Sequence, residues 1–519
     1  MDPFEDPIEE EPEDATDLQK RSWGWGLLPQ DEQATMPGDT NIALINGTPY
    51  RWRRVYSHEY QMRFWFQWPE YIEPGQAITH RAWTHRGWGD VGDTGGEIIY
   101  ALEGVKSHMS FEVQYRAIDG MLGFEARIHF KGDLETDTTK KSGLAQLASR
   151  SMPGGSSFLL AGKEGSLISS VSWGEEDEDN ASWMQSLLPD LGHFPLKEII
   201  MARSHHAALE DDKFTVRNVG AIKENTVTQI HPVDHQLRVD GIRVLDTRVM
   251  NYKGEFYEAH GTFMNDAWYG ARGEKLEEVV RQINRFNKEH PGELIIWDFH
   301  WENWSSERGY HDLTAEDRTR LFRLLKGIKH LANITTTRED DDITALPLAD
   351  FIGNKTSSVI IRFHKKWKTV TGDAFPGSRE GFFTSDNFPV QDSWSNEYDL
   401  YKMTNDQLQK LGEHRLHRNA PLFDQQWLRT LTGVNTLLIP DNMGLIQLGR
   451  TAMVTLREHL WNRMTDETYP NWITVDSVDG GEMRGLLKAM NRCFVIRDCG
   501  NWVKKPRTRE IEKAQPLED

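Results

Sequence analysis

Cysteine is nearly absent: Cys493 and Cys499 are the only two among 519 residues. That excludes a disulfide framework and a cysteine-rich zinc site. Long apolar runs are missing as well. No stretch of about eighteen apolar residues occurs, so nothing in the sequence reads as a membrane-spanning helix. Positive charge is in deficit, with 60 Lys+Arg against 80 Asp+Glu and a formal net charge of −20. A general nucleic-acid binder gains affinity by neutralising phosphates, so no nucleic-acid partner is expected. Docking on anionic lipid through overall charge is disfavoured too, although local basic stretches can still make transient membrane contact. The opening MDPFEDPIEEEPEDATD lacks the basic start and apolar stretch of a signal peptide. The expectation is a soluble cytoplasmic protein, peripheral to a membrane at most.

Hydrophobic residues make up 38% of the chain and charged residues 27%, enough to bury cores across two or three domains. Residues 1–35 are rich in Asp, Glu and Pro and cannot offset their conformational entropy by burial, so they read as an acidic disordered tail. Residues 36–175 carry short period-two segments rich in aromatics, among them RWRRVYSHEYQMRFWFQW (51–68), GEIIYALEG (96–104) and MSFEVQYRAI (109–118). Gly and Pro break them repeatedly. This pattern predicts an antiparallel β-sandwich-like domain, with SFLLAG (157–162) and SLISSVSWG (166–174) as its last strands. EEDEDN (175–180) reads as a charged linker.

From residue 182 the texture changes. Apolar strands alternate with amphipathic helices such as KLEEVVRQINRFNKEH and TAEDRTRLFRLLKGIKH, the latter opened by a Thr N-cap with Asp three residues on. Such alternation implies parallel pairing with crossovers, and residues 182–501 suit a (β/α)₈ TIM-type barrel. The last residues, 502–519, read as a polar tail. No internal repeat is visible.

In such a barrel the active site lies at the C-terminal ends of the strands. The polar residues expected there are Ser204, His205 and His206 on strand one, and Asp246 and Arg248 on strand two. His260 falls on strand three, Asp298 and His300 on strand four, Arg362 and His364 on strand five, and Asp476 on the last. Two imidazoles can take and give a proton while an arginine stabilises a phosphorane.

These segments resemble the X domain of phosphatidylinositol-specific phospholipases C. The resemblance is carried by SWMQSLLPDLGHFPLKEIIMARSHHAAL (182–209), HQLRVDGIRVLDTRV (235–249), EFYEAHGTF (255–263), KEHPGELIIWDF (288–299) and NWITVDSV (471–478), in order and with suitable spacing. The β-rich region lies outside it. The resemblance implies that His205 is the general base on the inositol 2-hydroxyl, and that His260 is the general acid on the diacylglycerol oxygen. It makes Asp476 the carboxylate that orients His205, and Asp246 and Arg248 the acidic and basic pair of bacterial-type members. Calcium-dependent members carry acidic residues at both of the last two positions. Arg248 therefore implies metal independence and no cofactor. VQDSW (390–394) resembles the segment supplying an inositol-binding carboxylate and a stacking aromatic, here Asp392 and Trp394. His206, His300 and Arg362 are the remaining expected substrate contacts.

One position departs from the family. It usually reads Pro-Gly-Ser/Thr-His-Asp, and this chain reads Ala202-Arg203-Ser204-His205-His206. The missing aspartate supports the general acid in the family. Three readings stay open: a phosphoric diester-cleaving enzyme acting on inositol phospholipid, a headgroup-binding module with weakened turnover, and a phosphodiesterase with a non-inositol substrate. His85-Arg86-Gly87 imitates the start of glycerophosphodiester phosphodiesterases, but no Glu-x-Asp pair follows it on a barrel strand. That alternative is rejected.

Overall fold

The computed structural model describes residues 40–63, 65–84, 94–118, 123–148, 154–170, 181–210, 215–217, 221–264, 267–301, 304–305, 311–334, 341–364, 367, 375–431 and 444–506. The acidic tail 1–35, His85-Arg86-Gly87, the linker 175–180 and most of the terminal tail lie outside the described residues. Among these no helix is long and apolar enough to cross a membrane.

Two β-sheets form the N-terminal part. One is six-stranded and antiparallel, in the order Tyr71–Ile72, Trp52–Tyr60, Gly95–Leu102, Met109–Ile118, Gly123–Gly132 and Leu144–Ala148. Burial alternates residue by residue along Gly95–Leu102, as a strand with one face on a core requires. The other sheet is five-stranded, in the order Ile168–Ser169, Ser156–Ala161, Thr40–Gly47, Ala77–Thr84 and Met62–Arg63. Its central pair, Thr40–Gly47 with Ser156–Ala161, is parallel, where the sequence pattern predicts an all-antiparallel sandwich. The two sheets share a core in which Ile98, Phe111, Val113 and Ile128 meet Ile42, Leu44, Phe158 and Leu160. Phe111 packs between Trp52, edge to face, and the tilted ring of Phe158, with ring centroids 4.9 and 4.7 Å away.

The remainder is a mixed α/β unit built on a curled sheet of eight parallel strands. They are β1 (Met201–Ser204), β2 (Val244–Tyr252), β3 (Leu294–Trp301), β4 (Ser358–Phe363), β5 (Phe382–Thr384), β6 (Gln391–Asp392), β7 (Phe423–Gln426) and β8 (Trp472–Val475). Parallel ladders join β1 to β2, β2 to β3, β3 to β4, β4 to β5, β6 to β7, β7 to β8 and β8 back to β1. No ladder joins β5 to β6 among the described residues, so the expected barrel is open along one seam. The expected alternation also lapses there. Only residues 385–390 separate β5 from β6, too few for a helical crossover. Helices follow other strands, Val233–Arg238 after β1, Leu276–Glu289 after β2, Ala315–Leu325 after β3, Leu400–His414 after β6 and Leu445–Thr455 after β7, while between β4 and β5 the described residues hold only the short 3-10 turn Ser378–Glu380. Thr314 caps Ala315–Leu325 with a reciprocal Asp317 box, as its sequence predicts.

One expected barrel strand is something else. Residues Glu255–Met264 pair antiparallel with the end of β2 and with Ala267–Lys275, forming a meander at the barrel rim. Lys253 and Gly254 have φ of 52° and 83°, the left-handed pair of a two-residue hairpin loop. A loop that short reverses the chain and cannot carry a parallel crossover. His260 therefore stands on the rim meander and not on a third barrel strand.

Most of the parallel strands are buried on both faces, and their two sides differ chemically. Ala202, Leu245, Trp297 and Ile361 face the helices, while the alternate residues Arg203, Asp246, Asp298 and Arg362 fill the interior. The outer face of the five-stranded sheet, through Ile45, Leu159 and Ala161, joins the barrel's core. Glu482 accepts from Arg457 Nε and Nη2 at 2.6 Å and from Ser157, tying the sheet to the barrel helices. The two cysteines form one disulfide, Cys493–Cys499, within the barrel's last segment.

Candidate active site

Charged and imidazole side chains cluster where the parallel strands end. The structural centre is Arg203 on β1. Its Nη2 donates to Asp246 at 2.7 Å and to Asp298 at 2.8 Å, and its Nη1 stands 3.5 Å from Asp424. Strand register explains the convergence, because Asp246 on β2, Asp298 on β3 and Arg362 on β4 lie level across the ladders. Arg362 is fully buried and donates to Asp298 at 2.5 Å and to the Phe388 carbonyl at 2.9 Å. The expected headgroup contact at Arg362 is thus committed to the barrel's internal ion network.

His205 follows β1 directly. Its Nδ1 lies 2.8 Å from Asp476 Oδ1, just past the end of β8, and its Nε2 lies 3.3 Å from Arg248 Nη2. A guanidinium can only donate, so Nε2 carries the lone pair and Nδ1–H donates to Asp476. That is the tautomer a general base needs. Burial pushes the Asp476 carboxyl above its usual range, against the pull of His205 and Arg248. Asp246 is also buried, but Arg203 and Arg248 outweigh burial and hold it low.

His260 faces this group from the meander. Its ring centroid is 6.2 Å from that of His205, and its Nδ1 donates to the Thr226 carbonyl at 2.8 Å. Nε2 is left with the lone pair in the neutral ring. Burial, and then the charge of Arg248, push its pKa down to about 3.

His206 fills the space behind both rings, with centroids 4.6 Å from His205 and 4.3 Å from His260. It is fully buried, with φ at 44°, and its backbone N–H donates to Asp246. Its Nδ1 is 2.8 Å from Glu258 Oε1, which also accepts the Arg248 backbone N–H at 3.2 Å. Burial drives the two groups in opposite directions, His206 well below and Glu258 well above their usual values. The pair is therefore held neutral. Glu258 thus gives a carboxylate neighbour to His206, while His260 Nδ1 is bonded to the Thr226 carbonyl.

A second group lies on the other side of Arg203. His300 Nε2 is 3.7 Å and His364 Nε2 3.9 Å from different oxygens of Asp392 on β6. Burial, and then nearby cations led by Arg203, push His300 well below the ordinary histidine value. Burial alone would raise Asp392, but His364, Arg203 and Arg362 hold it low. Trp394 does not join either group. It is 53% exposed, and its indole donates to Thr430 at 3.0 Å.

No protein-family profile matches the chain. An alignment of 141 residues is 30% identical to the human PI-PLC X domain-containing protein 2. It covers 23% of this chain and 43% of that protein, so the match spans less than half of the relative's length. That part of the chain is similar in sequence to the X domain-containing protein. Among solved structures, a mutant of the phosphatidylinositol-specific phospholipase C from Staphylococcus aureus matches with a TM-score of 0.42 and 11% identity. The match covers 61% of this chain and 98% of that one.

The structure brings together His205, His206, Arg248, Asp246, His260 and Asp476, and places His300, Asp392 and Arg362 beside them. Sequence reasoning missed Arg203 and Glu258. Both carried a signal: each sits two residues before a histidine of interest, and on a strand that spacing means the same face.

Proposed function

We propose that this chain is a phosphodiester-cleaving enzyme of the phosphatidylinositol-specific phospholipase C type. The reading rests on one observation above all: His205 is held by Asp476 through one nitrogen and offers the other beside Arg248, with His260 6.2 Å away. In the proposed reaction His205 Nε2 takes the proton of the inositol 2-hydroxyl as that oxygen attacks phosphorus. Arg248 offsets the charge growing on the phosphoryl oxygens. The bond from phosphorus to the diacylglycerol oxygen breaks, and His260 Nε2–H protonates the leaving oxygen. The products are diacylglycerol and a cyclic inositol phosphodiester. Burial and Arg248 keep His260 unprotonated in the free protein, and an incoming phosphodiester anion cancels part of that field. Because a guanidinium stands at position 248, turnover should not require calcium.

The proposal includes transient contact with a phospholipid surface, cytoplasmic residence and no nucleic-acid partner. Phosphorus NMR of phosphatidylinositol vesicles incubated with the full chain tests it. A cyclic five-membered phosphodiester signal is expected. Consumption of lipid to phosphatidic acid or a phosphomonoester without it would overturn the assignment.

The neutral His206–Glu258 pair and the low pKa of His260 favour a second reading, a headgroup-binding module with weakened turnover. It predicts vesicle binding without any phosphorus-containing product.

A further inference from the structure

We propose that His300, His364 and Asp392 form a binding site for a divalent transition-metal ion of the zinc class. The three residues come from the ends of β3, β4 and β6, which meet on the same rim of the curled sheet. One ligand atom from each lies within 4.8 Å of the others. The histidine Nε2 atoms stand 3.7 and 3.9 Å from the two carboxylate oxygens, and the ring centroids are 4.5 Å apart. The nitrogen–oxygen separations resemble the spacing of two ligands around one ion, since metal–nitrogen and metal–oxygen bonds of about 2.1 Å set tetrahedral neighbours roughly 3.4 Å apart.

Asp298 Oδ2 lies 3.9 Å from the other nitrogen of His300 and accepts from Arg203. His300 and Asp392 keep 12% and 19% of their side-chain surface exposed, so the ion can enter from the rim and keep open positions for water or an anionic oxygen. Two nitrogens and a carboxylate favour zinc, cobalt or nickel over calcium or magnesium.

The neighbouring histidine–carboxylate groups fit less well. His206 is engaged with Glu258, and Arg203 occupies the space between Asp246 and Asp298. The site is also distinct from the position beside Arg248 that the calcium argument concerns. The inference stands whether or not the chain is a phosphodiesterase.

The test uses the full chain stripped by a chelator and then titrated with Zn²⁺ by calorimetry and with Co²⁺ by visible absorption. One equivalent of Zn²⁺ is expected, with cobalt bands of a four- or five-coordinate site. His364→Ala and Asp392→Asn should each weaken binding on the order of 10–100-fold, while His205→Ala leaves it unchanged. X-ray absorption of the zinc-loaded wild-type protein should count two imidazoles, a readout independent of variant folding. Absence of Zn²⁺ binding, a zinc shell without imidazole, or loss of binding in His205→Ala alone would overturn the proposal.

Discussion

Asp476 and Arg248 divide the two nitrogens of His205 between them, and this sets what each residue should do when changed. Asparagine at 476 can turn a donor toward Nδ1 and stabilise the wrong tautomer, pointing an N–H at the arginine. Asp476→Asn should therefore lower kcat by roughly 10²–10⁴-fold with KM little altered, measured on phosphatidylinositol vesicles. Glu258 behaves differently because burial holds it neutral. Glu258→Gln keeps an acceptor and should change activity by less than about threefold. Glu258→Ala leaves the Arg248 N–H and His206 unpaired in a buried site and should cost about 1–3 kcal/mol in urea unfolding. His206→Asp, which restores the family's usual residue, should not restore activity while Glu258 faces it, since two carboxyls would then crowd one site.

At this scale the sequence was informative where residues are adjacent along a strand and silent where they meet across it. The order His205, Asp246, Arg248, His260 and Asp476 was legible. That Arg203 would sit among three carboxylates, or that Arg362 would bond Asp298 in place of a headgroup, follows from register between strands, which no single segment encodes. The resemblance of VQDSW implies that Trp394 joins Asp392, yet two positions along an irregular segment suffice to turn it outward.

Among the elements, the rim meander decides the geometry of His260. Gly261 and Gly270 face each other across it, and a Cβ on Gly270 would fall 2.2 Å from the His260 carbonyl oxygen. Gly270→Ala must push the two strands apart and carry His260 away from His205. Its kcat should drop at least tenfold while tryptophan fluorescence and the urea midpoint show a fold still present. The strands β1, β2, β3, β4 and β8 were legible from apolar runs, and the helices Leu276–Glu289 and Ala315–Leu325 from amphipathic pattern and, in the second, its Thr cap. The meander was not, because a period-two segment looks the same in parallel and antiparallel pairing. Only Lys253-Gly254, a hairpin loop signal, distinguished the two. The open seam was equally hidden, since β5 and β6 are three and two residues long and carry no pattern to read.

Over the whole molecule, the five-stranded N-terminal sheet is joined to the barrel by a common core, and Thr40–Gly47 is buried along its full length. Residues 36–175 read as a separate sandwich because alternation shows one buried face and cannot show what covers the other. The core between the two N-terminal sheets gives the protein a pH dependence far from the active site. His80 lies against the Trp68 ring at 4.5 Å, and burial pushes its pKa down to about 4. An unfolded histidine titrates near 6.5, so the unfolded chain takes the proton first. Stability from this group is complete above that pH and is lost as pH falls toward 4. Between pH 7 and pH 5 the loss is about 2 kcal/mol. Urea unfolding at the two pH values should show that loss in the wild type and a correspondingly smaller one in His80→Phe.

The central claim is that His205 and His260 act together on a phosphodiester, and the release of diacylglycerol from phosphatidylinositol vesicles measures it most directly. With a calcium-selective chelator present, the wild-type chain should turn over, and His205→Ala and His260→Ala should each be slower on the order of 10²–10⁴-fold. Equal rates in wild type and His205→Ala, or release only when calcium is added, would contradict the account.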